Sequence, residues 1–298
     1  MEASAFPSDQ YAVESQVRFH GFEPDDAIIE VHPREGEFTI RHEDIIEILN
    51  EQGNEIALVM FGGVNYYTGQ LFNMQLITAA AHEAGAMVGF DLAHAAGNVI
   101  LNLHDWNVDF AVWCSYKYLN SGPGGTSGVF VHERHANNHA LPRFAGWWGH
   151  NEKDRFLMKK GFDPIPGAQG WQLSNAQIFP MAIHRASLEI FHKAGLNNLR
   201  NKSILLTNYL EFLLNQINED SGVNEFKIIT PKNAEERGCQ LSILVQNKGK
   251  EAFDFLMKNG VVTDWREPNV IRMAPVPLYN SFTDVFEASE ILRSFYIK

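Results

Sequence analysis

The run WCSYKYLNSGPGG, residues 113–125, closes the apolar stretch VDFAVWC with Ser115, Tyr116 and Lys117, then enters a loop holding Gly122, Gly124 and Gly125. Lysine is costly at the tip of a buried strand because its ammonium loses hydration there. Such a lysine either snorkels to water or is kept for its amine. Asp91 ends a second apolar stretch, AMVGF, and lies 117 − 91 = 26 residues before Lys117. A lysine and a carboxylate on neighbouring strand ends suit pyridoxal phosphate. The amine forms a Schiff base with the aldehyde, and the carboxylate keeps the pyridine nitrogen protonated so that the ring accepts electrons. From these two residues alone the plainer reading stands equally well: Asp91 caps a helix and Lys117 is a solvated loop lysine. His94 follows Asp91 by three residues, and Gly124-Gly125 lets the backbone turn tightly beside a ligand.

These residues need strands to hold them. AIIEV (27–31), IALVMF (56–61), AMVGF (86–90), VDFAVWC (108–114) and SGVFVH (127–132) are strand candidates. HEDIIEILNEQG (42–53) and a segment near 71–85 show helical periodicity between them. Apolar runs without strict alternation predict an α/β domain with a mostly parallel sheet covered by helices, and ligands in such sheets sit at the carboxyl ends of the strands. Two helices follow between 176 and 217. The remainder reads as strand, strand, helix, strand, strand, helix (FKIIT, QLSILVQ, EAFDFLMKNG, VVTDW, IRMAPV, FTDVFEASEILRSFYI), a smaller α+β domain. The expected division is a large domain over 1–190 and a small C-terminal domain over 191–298.

Composition narrows the function classes. With 298 residues, 45% of them hydrophobic, the chain can bury a substantial core. Its 24 basic against 36 acidic residues give 24 − 36 = −12, and no basic cluster suits nucleic acid or an anionic membrane. Cys114 and Cys239 lack CxxC spacing and the density of a secreted scaffold, which points to a reducing, cytoplasmic setting. No apolar run suggests a membrane span, MEASAFPSDQ lacks the pattern of a signal peptide, and no metal is expected.

Six blocks, AFPSDQYAVESQ, FDLAHAAGN, LHDWNVDFAVWCSYKYLNSGPGG, AGWWGH, SNAQ and RMAPVPLYNSF, fall in an order that resembles the kynureninase family. These are PLP-dependent hydrolases with the PLP-dependent transferase-like (fold type I) architecture, and the resemblance runs from Ala5 to the C-terminus. It implies hydrolysis of L-kynurenine, or 3-hydroxykynurenine, to anthranilate or 3-hydroxyanthranilate and L-alanine, in tryptophan breakdown or NAD synthesis. Lys117 then matches the Schiff-base lysine, and Tyr116 a tyrosine that touches the cofactor phosphate and assists proton transfer. Phe6 matches the aromatic stacked on the pyridine ring, with Pro7, Ser8 and Asp9 lining the cofactor beside it. Asp91 matches the partner of the ring nitrogen and His94 a cofactor-site histidine. Trp147 and Asn175 match residues that reach the cofactor from a neighbouring subunit, which implies a homodimer with shared active sites. Arg272 matches the arginine that binds the substrate α-carboxylate through its planar fork. Read without the family, Phe6 is a core residue, the Trp147-Trp148 pair is core or an interface anchor, and Arg272 is a strand-edge arginine in an ion pair.

Two departures accompany the resemblance. The family carries a hydroxyl residue where this chain has Gly62, and its chain continues upstream of AFPSD with a helix N-terminus that cradles the phosphate. The expectation is a phosphate pocket open on one side. The competing readings are a cysteine desulfurase-like enzyme, which needs a reactive cysteine on a mobile loop, and a shortened remnant that keeps the fold without the cofactor. Cys114 and Cys239 sit in strand-like surroundings, where a thiol is expected to be buried and inert.

Overall fold

The computed structural model describes residues 1–222 and 224–297. Its first part runs α1 (Pro7–Phe19), α2 (Pro24–Ala27), α3 (His42–Gln52), β1 (Leu58–Gly62), α4 (Met74–Glu83), β2 (Met87–Asp91), β3 (Phe110–Cys114) and β4 (Ser127–Val131). Pro7 opens α1 at a position where its missing N–H is no loss. The Asn73 side chain caps α4 by accepting from the Leu76 N–H at 3.0 Å. Strands β1, β2 and β3 pair in parallel and β4 adds antiparallel to β3. The register sets Gly62 against Asp91 and Asp91 against Val112, so β1 and β2 end level while β3 runs on to Cys114, all three with their carboxyl ends pointing the same way.

Because side chains alternate across a strand, the sheet has two distinct faces. Val59, Phe61, Val88, Phe90 and Ala111 are buried with Ile45 and Leu49 of α3 and Ile77 and Ala81 of α4. On the other face Leu58, Met87, Val112 and Val129 remain exposed, so the expected covering is present on one side. The expected strand at 27–31 does not form. Pro24, Asp25 and Asp26 favour a helical turn instead, and Val31 makes only a single parallel bridge to Glu2.

The second part runs α5 (Ile178–Ala194), α6 (Leu196–Ser221), β5 (Phe226–Ile228), β6 (Leu241–Val245), α7 (Gly249–Lys258), β7 (Asp264–Arg266), β8 (Val270–Met273) and α8 (Phe282–Tyr296). This is the order read from the sequence. Its antiparallel sheet is ordered β5-β6-β8-β7, and Leu206, Leu210, Leu256, Val285 and Leu292 from three helices pack on Leu241, Ile243 and Ile271. A reciprocal capping box between Ser281 and Asp284 starts α8. Polar contacts tie this sheet to the loop after β1: Thr230 Oγ1 donates to the Thr68 carbonyl at 2.6 Å and Gln240 Nε2 to the Tyr66 carbonyl at 3.1 Å. No helix among the described residues is long and apolar enough to cross a membrane.

Asp109 anchors the amino end of β3. It is 2% exposed and accepts the Val88 N–H at 2.7 Å, with His82 Nε2 at 2.9 Å, His135 Nε2 at 2.6 Å and the Arg134 guanidinium around it. Burial alone would raise this carboxyl, but the bonds from His82, Arg134, His135 and Val88 outweigh it and bring it down to about 2. A depressed carboxylate contributes stability above its unfolded pKa of about 4 and loses it as pH falls toward the folded value. Asp109→Asn should therefore cost about 3 kcal/mol near neutrality and much less near pH 2, read from urea unfolding midpoints at both pH values. Equal losses at both would contradict this role.

Candidate active site

The co-directed strand ends bring distant residues to one place. Lys117 Nζ lies 5.4 Å from the Phe6 ring centroid, and Phe6 meets Tyr66 edge-on at 5.2 Å. Asp91 Oδ1 accepts the Ala93 N–H at 2.7 Å, which fixes the direction of its carboxyl. Glu2, Phe6, Asp9, Asp91, His94 and Lys117 line one narrow cleft. The lysine loop is held by α5 and by its own turn. Ser187 Oγ on α5 donates to the Leu119 carbonyl at 2.6 Å, and Asn120 N–H donates to the Lys117 carbonyl at 3.2 Å. Gly97, at φ +84°, lets the segment after His94 approach so closely that an added Cβ would stand 2.8 Å from the Tyr118 carbonyl oxygen.

The charges in the cleft are unbalanced toward acid. Burial, then the charge and hydrogen bond of Asp91, push Asp9 up to about 7, with Lys117 opposing. Burial also pushes Glu2 up to about 7, against the pull of the Gly62 N–H, which donates to its Oε2 at 2.7 Å. His94 is driven down to about 3, first by burial and then by the positive charges of Lys117, Arg272 and Arg266, so it is a neutral imidazole. Its Nδ1 is buried and makes no hydrogen bond. Three carboxyl groups thus meet one amine beside an imidazole with a free ring nitrogen. A flat cationic ring that brings its own hydrogen-bonding groups fits this arrangement, with Phe6 beside the lysine as a stacking face.

Arg272 stands on β8, 9% exposed, with Nη1 donating to the Tyr66 carbonyl and Nη2 to Asp264. A polar chain links this strand region to the cleft: Cys239 N–H donates to Asn98 Oδ1, and Asn98 Nδ2 donates to the His94 carbonyl, both at 2.9 Å. Burial raises the Cys239 thiol to about 12, although a bond with Tyr118 favours the thiolate. It is the inert thiol expected. Cys114 is only half-buried, and its hydrogen bond and charge raise the Tyr116 hydroxyl above its ordinary value. Among the described residues no group of three or more metal-ligating side chains is placed to hold an ion.

The other sequence-predicted residues lie elsewhere. Pro7 and Ser8 are exposed at the start of α1 and do not line the cleft. Tyr116 is half-exposed and is not among the residues lining the cleft. Trp147 is 43% exposed in a short helical turn, donating to the Arg155 carbonyl at 3.2 Å, and Asn175 is exposed in a loop. Neither enters the cleft of its own chain. Sequence reasoning missed Glu2, although it precedes Phe6 by four residues, because nothing in a lone glutamate signals that it is 3% exposed. It also missed Asp264, Asn98 and the Tyr66 carbonyl, whose roles arise from packing between distant segments.

The fold is that of the fold type I pyridoxal phosphate enzymes. A cystine C-S lyase in complex with cysteine persulfide matches with a TM-score of 0.79 at 16% identity, covering 98% of this chain and 74% of that one. A cysteine desulfurase from Thermococcus onnurineus matches at 0.75 and 15% identity, covering 97% and 70%. Sequence narrows the class. The kynureninase of Flavobacterium psychrophilum is 59% identical over 292 residues, 98% of this chain and 68% of that protein. The Mus musculus kynureninase is 53% identical over 298 residues, 99% of this chain and 64% of that one. The model of the kynureninase C-terminal domain matches residues 199–292. The chain belongs to the kynureninase family, as its six sequence blocks indicated, and spans about two thirds of the length of these relatives.

Gly97→Ala tests whether the lysine loop needs this close approach. The positive φ and the backbone clash should cost about 1–3 kcal/mol and weaken pyridoxal phosphate binding, measured by thermal unfolding and by cofactor titration. Unchanged values for both would show that the loop tolerates a Cβ there.

Proposed function

We propose that this chain uses pyridoxal phosphate to hydrolyse L-kynurenine, or its 3-hydroxy form, to the anthranilate and L-alanine. The observation that carries the reading is one cleft holding Lys117, Asp91 and Phe6 in a chain 59% identical to a kynureninase. The cofactor supplies an electrophilic carbon for amines and a ring that takes up the electron pair released at the substrate α-carbon. Lys117 would hold it through its amine, Asp91 would pair the ring nitrogen and Phe6 would offer a stacking face, with His94 and Asp9 lining the same cleft.

With the cofactor bound, the Lys117 amine would be the base for the proton on the substrate α-carbon. Asp91 would keep the ring nitrogen protonated. Arg272 orients the α-carboxylate, which fixes which bonds of the α-carbon face Lys117. Tyr116, next to Lys117 in the chain, relays a proton to the three-carbon fragment that leaves as L-alanine. Pro7 opens α1 directly after Phe6 and so sets where that ring stands.

In this reading residues 1–190 form the cofactor domain and 191–298 the small domain bearing Arg272, with Val223 and Lys298 outside the described residues. The protein works as a homodimer in which Trp147 and Asn175 serve the cleft of a second copy. Support comes from the exposed apolar side chains near them, Phe144, Phe156, Leu173, Ile178 and Phe179, each more than half exposed in the single chain. The two unpaired cysteines support a reducing, cytoplasmic setting. A desulfurase reading finds no support in Cys239, whose thiol stays protonated and buried.

Anthranilate fluorescence in a continuous assay tests the function. Lys117→Ala should lower kcat by about a thousandfold or more, and Arg272→Ala should chiefly raise KM, by about tenfold or more. Kynurenine turnover that survives in Lys117→Ala would remove the lysine from the chemistry.

A further inference from the structure

We infer that Asp264 is a gate on Arg272: it holds the guanidinium edge that a substrate carboxylate needs and yields it when that carboxylate arrives. The inference rests on the reading of Arg272 as the carboxylate-binding arginine and adds the residue that sets how readily the arginine is offered.

A guanidinium pairs a carboxylate side-on through Nε and Nη2. Arg34 does this elsewhere in the chain, with Nε at 3.1 Å and Nη2 at 2.6 Å from the Asp44 carboxylate. On Arg272 the same edge is divided. Nη2 donates to Asp264 Oδ2, whereas Nε is buried and has no partner. Nη1, on the other edge, is engaged by the Tyr66 carbonyl, which holds the plane of the group whether or not Asp264 stays. A buried donor left unpaired is unfavourable, and an incoming carboxylate that takes both Nε and Nη2 satisfies it.

Asp264 has somewhere to go. It faces Arg272 directly across the β7–β8 pair, so the sheet delivers it to this position, and the same Oδ2 lies 3.1 Å from Arg266 Nη2. Releasing Arg272 leaves Asp264 paired with Arg266. The exchange starts from the solvent side, since the Asp264 side chain is 43% exposed and that of Arg272 only 9%. Ligands without a carboxylate cannot make the exchange, which turns Asp264 into a filter for α-carboxylates.

The test uses KM and kcat of the cofactor-loaded protein together with the calorimetric Kd of L-kynurenine for cofactor-free protein, where no turnover occurs. Asp264→Asn keeps size and removes charge; Kd and KM should fall roughly twofold to fivefold, the worth of a half-exposed ion pair, with kcat changing less than KM. Arg266→Gln removes the resting place of Asp264, and both constants should rise by a similar factor. Opposite signs from neighbouring substitutions are not what general loosening produces. If Asp264→Asn raises both constants, Asp264 orients Arg272 and the gate is overturned. If Asp264→Asn does not fold, Arg266→Gln decides: a rise supports the gate, and no change or a fall overturns it. Arg272→Ala separates the two claims. Unchanged constants there remove the arginine from ligand binding and the gate with it, whereas weaker binding there with none gained in Asp264→Asn overturns the gate alone.

Discussion

The in-register parallel pairing of β1, β2 and β3 is the constraint on which the site depends. Parallel strands point their carboxyl ends the same way, and the pairing of Gly62 with Asp91 and of Asp91 with Val112 keeps those ends within two residues of one another. The polar residues that follow each strand then have one place to meet. Lys117 arrives from β3, Asp91 from β2, and Gly62 at the end of β1 leaves room for Glu2, whose Oε1 would stand 2.9 Å from a Cβ there. Slippage by one residue would send Asp91 to the opposite face, among Phe61, Val88 and Phe90. The Asp109 cluster at the amino end of β3 holds the same register from below.

Electrostatics divide the site into two sides. Around the sheet ends, carboxyl groups outnumber the single amine, and burial leaves Glu2 and Asp9 able to hold protons near neutrality. Around His94 the field is positive, from Lys117, Arg272 and Arg266. A ligand with a cationic ring at one end and a carboxylate at the other is matched to that division. The loop from Asn65 to Gln70 joins the sides, because its carbonyls receive Arg272, Gln240 and Thr230 from the second sheet.

Much of this was legible in the sequence where a local signal existed. The apolar runs ending at Asp91 and Lys117 marked the strand ends, and the order of elements after residue 220 followed from periodicity and turn residues. AIIEV misled because a short apolar run looks the same whether or not a partner strand lies beside it, and here Pro24 and two aspartates had already committed the chain to a turn. The expectation of a sheet covered on both faces met one covered face, because burial depends on what packs from elsewhere. Arg272 became a candidate only through the family blocks; no spacing links it to Tyr66, more than 200 residues away. Trp147 and Asn175 lie outside the cleft of their own chain, and no local signal in the sequence says what either one meets.

The central claim is that Lys117 stands at its strand tip to anchor the cofactor. The most direct measurement is to load the chain with pyridoxal phosphate, reduce it with borohydride and map the pyridoxyl mass by peptide sequencing. One labelled lysine, Lys117, is expected at near-stoichiometric yield. A label spread over surface lysines, or its absence from the Lys117 peptide in folded, cofactor-saturated protein, would contradict it.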